Sequence, residues 1–324
     1  MFTTTEESRH FLHQLQILTT HYKDTFYMSR AKSNAEVSVP ALRHVTSLRT
    51  QHMAWSIAFE SLLESRQQPE VSNMERTKRA ILKMNNLSIA VLLPDVLSIG
   101  ETGFDSSYLN FTRIVALAKE VLVDEELFLN HGMYGNATDQ RSTKVPKIGI
   151  EHSSLLSPTT HGQVSQQEKY MPMGTPQSRL DSTAPTSMNY PNSPVHVRAS
   201  FTTSLGIVYP LYVVATKCRN RELRREAIRL LLSSPRREGL WDSLLSGQVA
   251  QWVMEIEEEG LAAWDSSRAE NAALDLRWIA EDKRVVVREV LFDLQHRTAK
   301  CRCGTSGVGE GEPDERARET TLKW

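Results

Sequence analysis

Residues 201–260 read FTTSLGIVYPLYVVATKCRNRELRREAIRLLLSSPRREGLWDSLLSGQVAQWVMEIEEEG. Their apolar residues recur at helical spacing and are separated by clear breaks. Pro210 suits the start of a helix, where its missing N–H would have no partner anyway. Leu211, Val214, Ala215 and Cys218 then face inward. Asn220 can cap a second helix, with Leu223, Ala227, Leu230 and Leu231 as its core face and Arg221, Arg224, Arg225 and Arg229 elsewhere. Ser233, Ser234 and Pro235 end it. After Arg236, Arg237, Glu238 and Gly239 a third helix is expected near Leu240. Its inward stripe is Trp241, Leu245, Val249, Trp252 and Ile256, and Gly260 suits the residue just past its end. Three consecutive helices make the fold mainly α.

The charges of this stretch are segregated. From Lys217 to Arg237 there are eight Lys or Arg and two acids, Glu222 and Glu226. Glu257, Glu258 and Glu259 close the third helix, where carboxylates oppose the helix dipole. The expectation is that the arginine-rich helix packs beside them. A phosphate-facing surface is the other reading of the arginines, and the acidic neighbour makes an internal match the preferred one.

Upstream, residues 5–28 read as a helix with Phe11, Leu15, Leu18 and Tyr22 on one stripe and Thr4 with Glu7 as a capping box. Residues 29–38 are small and polar, a loop. A second helix is expected from Pro40, facing Leu42, Val45, Leu48, Trp55, Phe59 and Leu62 inward and ended by Gln67, Gln68 and Pro69. A third runs over residues 73–93 with Ile81, Met84, Leu87 and Val91 inward, until Pro94 kinks or stops it. A fourth covers residues 106–129 with Tyr108, Phe111, Val115, Ala118 and Leu122 aligned. Residues 131–200 carry seven of the thirteen prolines and no Phe or Trp. Such a segment buries too little apolar surface to offset ordering entropy and reads as a disordered insert. Ser157, Thr175 and Ser193 each precede a proline there, the minimal form of a proline-directed phosphorylation site.

Downstream, residues 262–282 read as a loop and a short helix holding Trp264, Leu274, Leu276 and Trp278. Residues 284–294 then read as a strand with Val286, Val290, Phe292 and Leu294 on one face. Residues 298–303 can return as its hairpin partner, and 319–324 can add a third strand. The expected organisation is a helical part at 1–130, the insert at 131–200, more of the same helical domain at 201–282 and a β-rich tail at 283–324. The expected architecture is a helical bundle or solenoid-like array with a small C-terminal antiparallel hairpin or three-stranded sheet.

Composition narrows the function. The 324 residues carry 38 Lys or Arg against 39 Asp or Glu, a net charge of −1 that lacks the basic excess of a dedicated nucleic-acid binder. Three cysteines fit a reducing compartment rather than a disulfide scaffold. The first residues lack the pattern of a signal peptide, and no apolar run reaches the length of a membrane helix. His296, Cys301 and Cys303 form an H-x4-C-x-C group, but a zinc site needs a fourth ligand and none is near in sequence. A plain hairpin is the ordinary reading. Cys218 beside Arg219 could be an activated thiol if exposed, though a free Cys is usually buried core. The early histidines, His10, His13, His21, His44 and His52, lack metal-ligand spacing. Glycine-rich phosphate loops and nucleophile elbows are absent. No enzyme activity and no membrane association are expected.

The segments YPLYVVATKCRNRELRREAIRLL, SSPRREGLWDS and VAQWVMEIEEEG, taken in order, resemble the C-terminal regulatory region of fungal zinc-cluster transcription factors. The stretch DVLSIGETGFDSSYLNFTRIVALAKEVL and the ending VVVREVLFDLQHRTAKCRCG…ETTLKW are similar to that family too. The residues carrying the resemblance are Pro210, Leu211, Cys218, Arg224, Arg225, Arg236, Arg237, Glu238, Gly239, Trp241, Asp242, Trp252, Glu257, Glu258 and Gly260. The resemblance implies a helical regulatory domain and a nuclear protein that controls transcription, in many members of secondary-metabolite or nutrient-use genes. The family contacts DNA through an N-terminal binuclear zinc cluster with six cysteines. This chain has no Cys before Cys218, so that cluster cannot form from its residues. No zinc ligand or DNA-contact residue carries over, zinc is expected only in the family's N-terminal cluster, and direct sequence-specific DNA contact is not expected of this chain. The implied partners are proteins, such as a full-length family member or the transcription machinery, with room for a small-molecule effector in the helical core. An α-helical scaffold without a transcriptional role, or a helical enzyme with an unrecognised site, are the alternatives.

Overall fold

The computed structural model describes residues 2–31, 39–65, 72–95, 100–134, 200–202, 205–259, 278–306, 308 and 311–324. They belong to one compact unit, Met1–Tyr134 with Val197–Trp324. The second unit, Gly135–His196, lies outside the described residues, and with it most of the sequence-predicted disordered insert and its Ser-Pro and Thr-Pro sites; the ends of that insert differ from the expectation, since residues 131–134 continue the helix Tyr108–Tyr134 and Ser200 opens a strand. Trp264, Leu274 and Leu276 also lie outside them, as does Gly260.

The fold is mainly α with a small antiparallel sheet near the C-terminus, as the sequence pattern implies. Four long helices come first: α1 (Thr5–Ala31), α2 (Val39–Ser65), α3 (Asn73–Asp95) and α4 (Tyr108–Tyr134), the last preceded by a 3-10 turn, Glu101–Ser107. After the short β1 (Ser200–Thr202) come α5 (Val208–Lys217), α6 (Arg221–Ser233), β2 (Arg236–Glu238), β3 (Trp241–Asp242) and α7 (Ser243–Glu257). The chain closes with β4 (Val286–Asp293), β5 (Thr298–Gly304) and β6 (Arg318–Lys323), paired antiparallel in that order.

Helix α1 starts as its cap dictates. Thr4 Oγ accepts from the Glu7 N–H at 3.1 Å, and the Glu7 carboxylate accepts from the Thr3 N–H at 2.8 Å. Its buried face differs from the expected stripe. Phe11 and Leu18 are exposed, while Ser8, Leu12, Leu15 and Thr19 are buried. The seam uses small polar residues because another helix approaches closely there: Trp55 Nε1 of α2 donates to the Ser8 carbonyl at 2.8 Å. In α2 the expected face holds for Val45, Leu48, Trp55, Phe59 and Leu62, but Leu42 is exposed.

Helix α3 is buried on two sides. Leu82, Ile89 and Leu93 join Leu12, Leu48 and Phe59 in one core, while Met84, Val91 and Leu92 join α4 and α5 in another. Ile81 and Leu87 are partly buried against that second core. The helix runs through Pro94 to Asp95. Helix α4 buries Phe111, Ile114, Val115, Ala118 and Val121, with Tyr108 exposed and Leu122 partly buried.

Helix α5 begins two residues before Pro210, which sits in the first turn, where a missing N–H breaks no bond. Residues Leu240–Asp242 are not helical. The chain first makes a tight hairpin, β2 to β3, which Gly239 turns at φ 60°. Asp242 then caps α7, its side chain accepting from the Leu245 N–H at 3.1 Å. Leu245, Val249 and Ile256 are buried as expected, with Trp241 and Trp252 partly so. In β4 a bulge between Val287 and Glu289 shifts the alternation, so Val287 and Val290 face the core while Phe292 and Leu294 are exposed.

Candidate functional site

The helices α5, α6 and α7 meet around buried charge. Arg219, in the three-residue link after α5, and Arg224, in the first turns of α6, are both 0% exposed. So are Glu257 at the end of α7 and Glu101 at the start of the 3-10 turn. Arg224 lies four residues before Ile228 and seven before Leu231, so it shares their buried face rather than the polar face the sequence suggests. Its Nε donates to the Ala215 carbonyl at 3.0 Å and its Nη1 to Glu257 Oε2 at 2.5 Å. Arg219 reaches Glu257 Oε1 at 3.0 Å and Glu101 Oε2 at 3.1 Å.

Two further donors complete the set. Lys217 Nζ lies 2.9 Å from both oxygens of Glu101 and 4.8 Å above the Phe104 ring. The Val285 N–H, just before β4, donates to Glu257 Oε1 at 2.8 Å. Glu257 thus ties α6, the α5–α6 link and the strand that opens the C-terminal sheet. Beside it, Arg284 pairs with both oxygens of Asp105 at 3.0 and 2.7 Å and donates to the Ile279 carbonyl at 2.9 Å. Arg219 Nε and Arg224 Nη2 are buried without an acceptor among the described residues. Desolvating this many charges offsets much of their attraction, so the cluster orients elements more than it adds net stability.

The rest of the triple glutamate pairs nearer the surface. Arg221 and Arg225 of α6 both reach Glu258, and Arg318 lies 3.8 Å from Glu259. The sequence-derived pairing of the arginine helix with the acidic helix end is therefore present, and its central members are buried rather than solvated. The hairpin between α6 and α7 is also bound inward. Glu238 accepts from the Ile207 and Val208 N–H groups at 3.1 and 2.7 Å, closing the start of α5 with a carboxylate. Burial raises its pKa, against the pull of those two N–H donors. A Cβ at Gly206 would lie 2.0 Å from that carboxylate, so the close approach requires glycine. Arg236 pairs with both oxygens of Glu125 on α4 at 3.2 and 2.7 Å. Trp241 packs at a tilt against Tyr209 and Tyr212, with ring centroids 5.0 and 5.3 Å apart. Arg237 lies on the exposed side of the hairpin, 3.5 Å from the Gly239 carbonyl.

The other sequence candidates separate. Cys218 ends α5, its N–H bonded to the Val214 carbonyl, and burial pushes its thiol to about 11. Cys303 is likewise buried and raised to about 11, and burial raises Cys301. A reactive thiol needs the opposite environment. His296 sits at the β4–β5 turn against Asp293 at 2.7 Å, while Cys301 and Cys303 face the core. Among the described residues no three His, Cys, Asp or Glu side chains gather as a metal site would require. The sequence reading missed Glu101 and Arg219 as cluster members. Glu101 lies 118 positions from Arg219, a separation at which no local pattern can pair them.

No family model matches the chain, and no solved structure matches it. A curated protein does: the chain is 43% identical over 67 residues to the aspercryptin biosynthesis cluster-specific transcription regulator of Emericella nidulans. The match covers 20% of this chain and 11% of the relative. A segment of this chain is thus related to part of a fungal transcription regulator. Among the described residues, no helix is long and apolar enough to cross a membrane.

Proposed function

We propose that this chain is a regulatory module of the fungal zinc-cluster transcription-factor type, acting in the nucleus through protein contacts and not through DNA recognition or catalysis of its own. The observation that carries the reading is the 43% identity over 67 residues to a fungal cluster-specific transcription regulator. The charge layout supports it. Arg219, Arg224 and Arg236 are turned onto Glu101, Glu257 and Glu125, and Arg221 and Arg225 onto Glu258. These arginines are engaged by carboxylates, as suits a body that regulates by shape and contact more than one that grips phosphates. Its partners in this reading are a full-length family member or the transcription machinery, with a small-molecule effector as a second input.

The test is a fusion of the full chain to a heterologous DNA-binding domain in a fungal host with a reporter gene. The fusion is expected to accumulate in nuclei and change reporter transcription several-fold. The purified chain alone is expected to bind DNA weakly and with strong salt dependence. Normal expression with no nuclear accumulation and no change in the reporter would overturn the proposal.

A further inference from the structure

Helix α2 is amphipathic in an unusual sense: both of its long sides carry apolar residues. One side, Val45, Leu48, Trp55, Phe59 and Leu62, is buried against α1 and α3. On the other, Leu42, Thr46, Met53 and Ile57 follow at steps of four, seven and four residues, which places them on one outward stripe. Met53 and Ile57 are 65% and 66% exposed, and Leu42 is 40% exposed. Large apolar side chains concentrated mid-helix on an outward stripe are what an interface core presents before its partner arrives.

The charges beside that stripe indicate which partner fits. Arg43 and Arg49 lie in the N-terminal half of α2 and Glu60 and Glu64 in the C-terminal half; all four are exposed. The first turn contains no acid and the last turn no base. Within one molecule this order works against the helix dipole, which favours acids at the start and bases at the end. Two antiparallel copies of α2 reverse the situation. With a twofold axis between Met53 and Ala54, Arg43 faces Glu64 of the second copy, and Thr50 faces Ile57 of the second copy. Met53 and Ile57 then bury at the centre, and each basic half lies against an acidic half. Arg49 keeps its bond to the Leu93 carbonyl at 3.3 Å, so Arg43 carries the cross-dimer charge. A surface complementary to itself about a twofold is the condition for a closed, isologous dimer.

We infer that the outward face of α2 is a homodimer interface, in which two copies of this chain pair antiparallel through Met53 and Ile57 and are held in register by Arg43 and Glu64. The inference goes beyond the proposed function, and its readout needs no transcriptional activity.

Sedimentation velocity of the full-length chain tests it. The parent chain is expected to dimerise. Ile57→Glu, Arg43→Glu and Glu64→Arg, all at exposed positions, are each expected to weaken the dimer at least about tenfold while leaving the monomer's fold, read by far-UV circular dichroism, unchanged. Mixing the Arg43→Glu chain with the Glu64→Arg chain in equal amounts is expected to restore a dimer, because the pair then places unlike charges at both ends. A parent chain that stays monomeric up to about 100 µM overturns the inference. A dimer indifferent to Ile57→Glu, or an equal mixture no tighter than either variant alone, overturns it too.

Discussion

Around Leu12, Trp55 and Phe59 the first three helices meet through apolar side chains and small polar ones, whereas α5, α6 and α7 meet around two arginines and a glutamate, all fully buried. Both regions exclude water, but they constrain the chain differently. Apolar contacts are non-directional and tolerate repacking when volume is kept. An ion cluster tolerates little, because each guanidinium needs acceptors at set angles and each unpaired charge left in the interior is costly. The first region therefore holds helices together, and the second fixes how they are oriented. The division also places a rigid, charge-locked body beside an end of the molecule whose outer helix keeps an apolar face to the solvent.

The strongest way to break this contrast is Glu257→Ala, which strands Arg219 and Arg224 in the core and removes the acceptor of the Val285 N–H. It is expected to cost about 3–5 kcal/mol in denaturant unfolding. A loss below about 1 kcal/mol would mean the cluster is solvated and the contrast false. Leu12→Ala in the apolar region is expected to cost about 2–5 kcal/mol, whereas Leu12→Met should cost less than about 1.5 kcal/mol. That tolerance should have no counterpart at Glu257: Glu257→Gln keeps the volume, and if it proved as mild as Leu12→Met the two regions would not differ in kind.

Smaller effects sharpen the boundary between the regions. Glu238→Ala removes the acceptor of two N–H groups at the start of α5 and is expected to lower stability by about 1–2 kcal/mol, near the upper end of helix-cap deletions. The smallest effect is expected at Glu226, a surface carboxylate held by Arg229 and Lys119. The Arg229 hydrogen bonds, followed by the one from Lys119, hold its pKa at about 2 against the ordinary 4.5. A carboxyl depressed on folding stabilises fully above its unfolded value and loses that contribution as the pH falls through its folded one. Glu226→Gln should thus cost less than about 1 kcal/mol at pH 7, after allowance for solvent screening. The difference from the parent should fade between pH 4.5 and about 2 in acid unfolding curves.

Much of the helical architecture is legible in residue spacing. The buried face of α2 from Val45 to Leu62, the cap residue Asn220 and the order of the three C-terminal strands follow from local pattern. The pairing of the arginine helix with Glu257 and Glu258 was also legible, because a helix ending in three acids requires a basic neighbour. What was not legible depends on contacts distant in sequence. Arg224 has the spacing of a core residue, and only the buried Glu257 makes that burial tolerable. The phase of α1 is set by Ser8 and Thr19, which no hydrophobic stripe would select. The small hairpin before α7 hides in a segment whose Trp241 and Leu245 have helical spacing, and only Gly239 at φ 60° and Asp242 as a cap mark the break.

The cluster also sets an order of events during synthesis. Glu101 meets Arg219 across 118 positions, Glu257 meets the Val285 N–H, and Asp105 meets Arg284 across 179. A nascent chain emerging from the ribosome can stack its first helices early, since their apolar contacts need nothing further along. It cannot seal the space around Glu257 until residue 285 has left the exit tunnel. Until then Arg219 and Arg224 cannot reach their full burial, and α5 through α7 remain an open assembly. The last strands of the chain therefore act as the step that commits the charged body to its final arrangement. A polypeptide truncated before Val285 is expected to keep its early helices and to be held by chaperones.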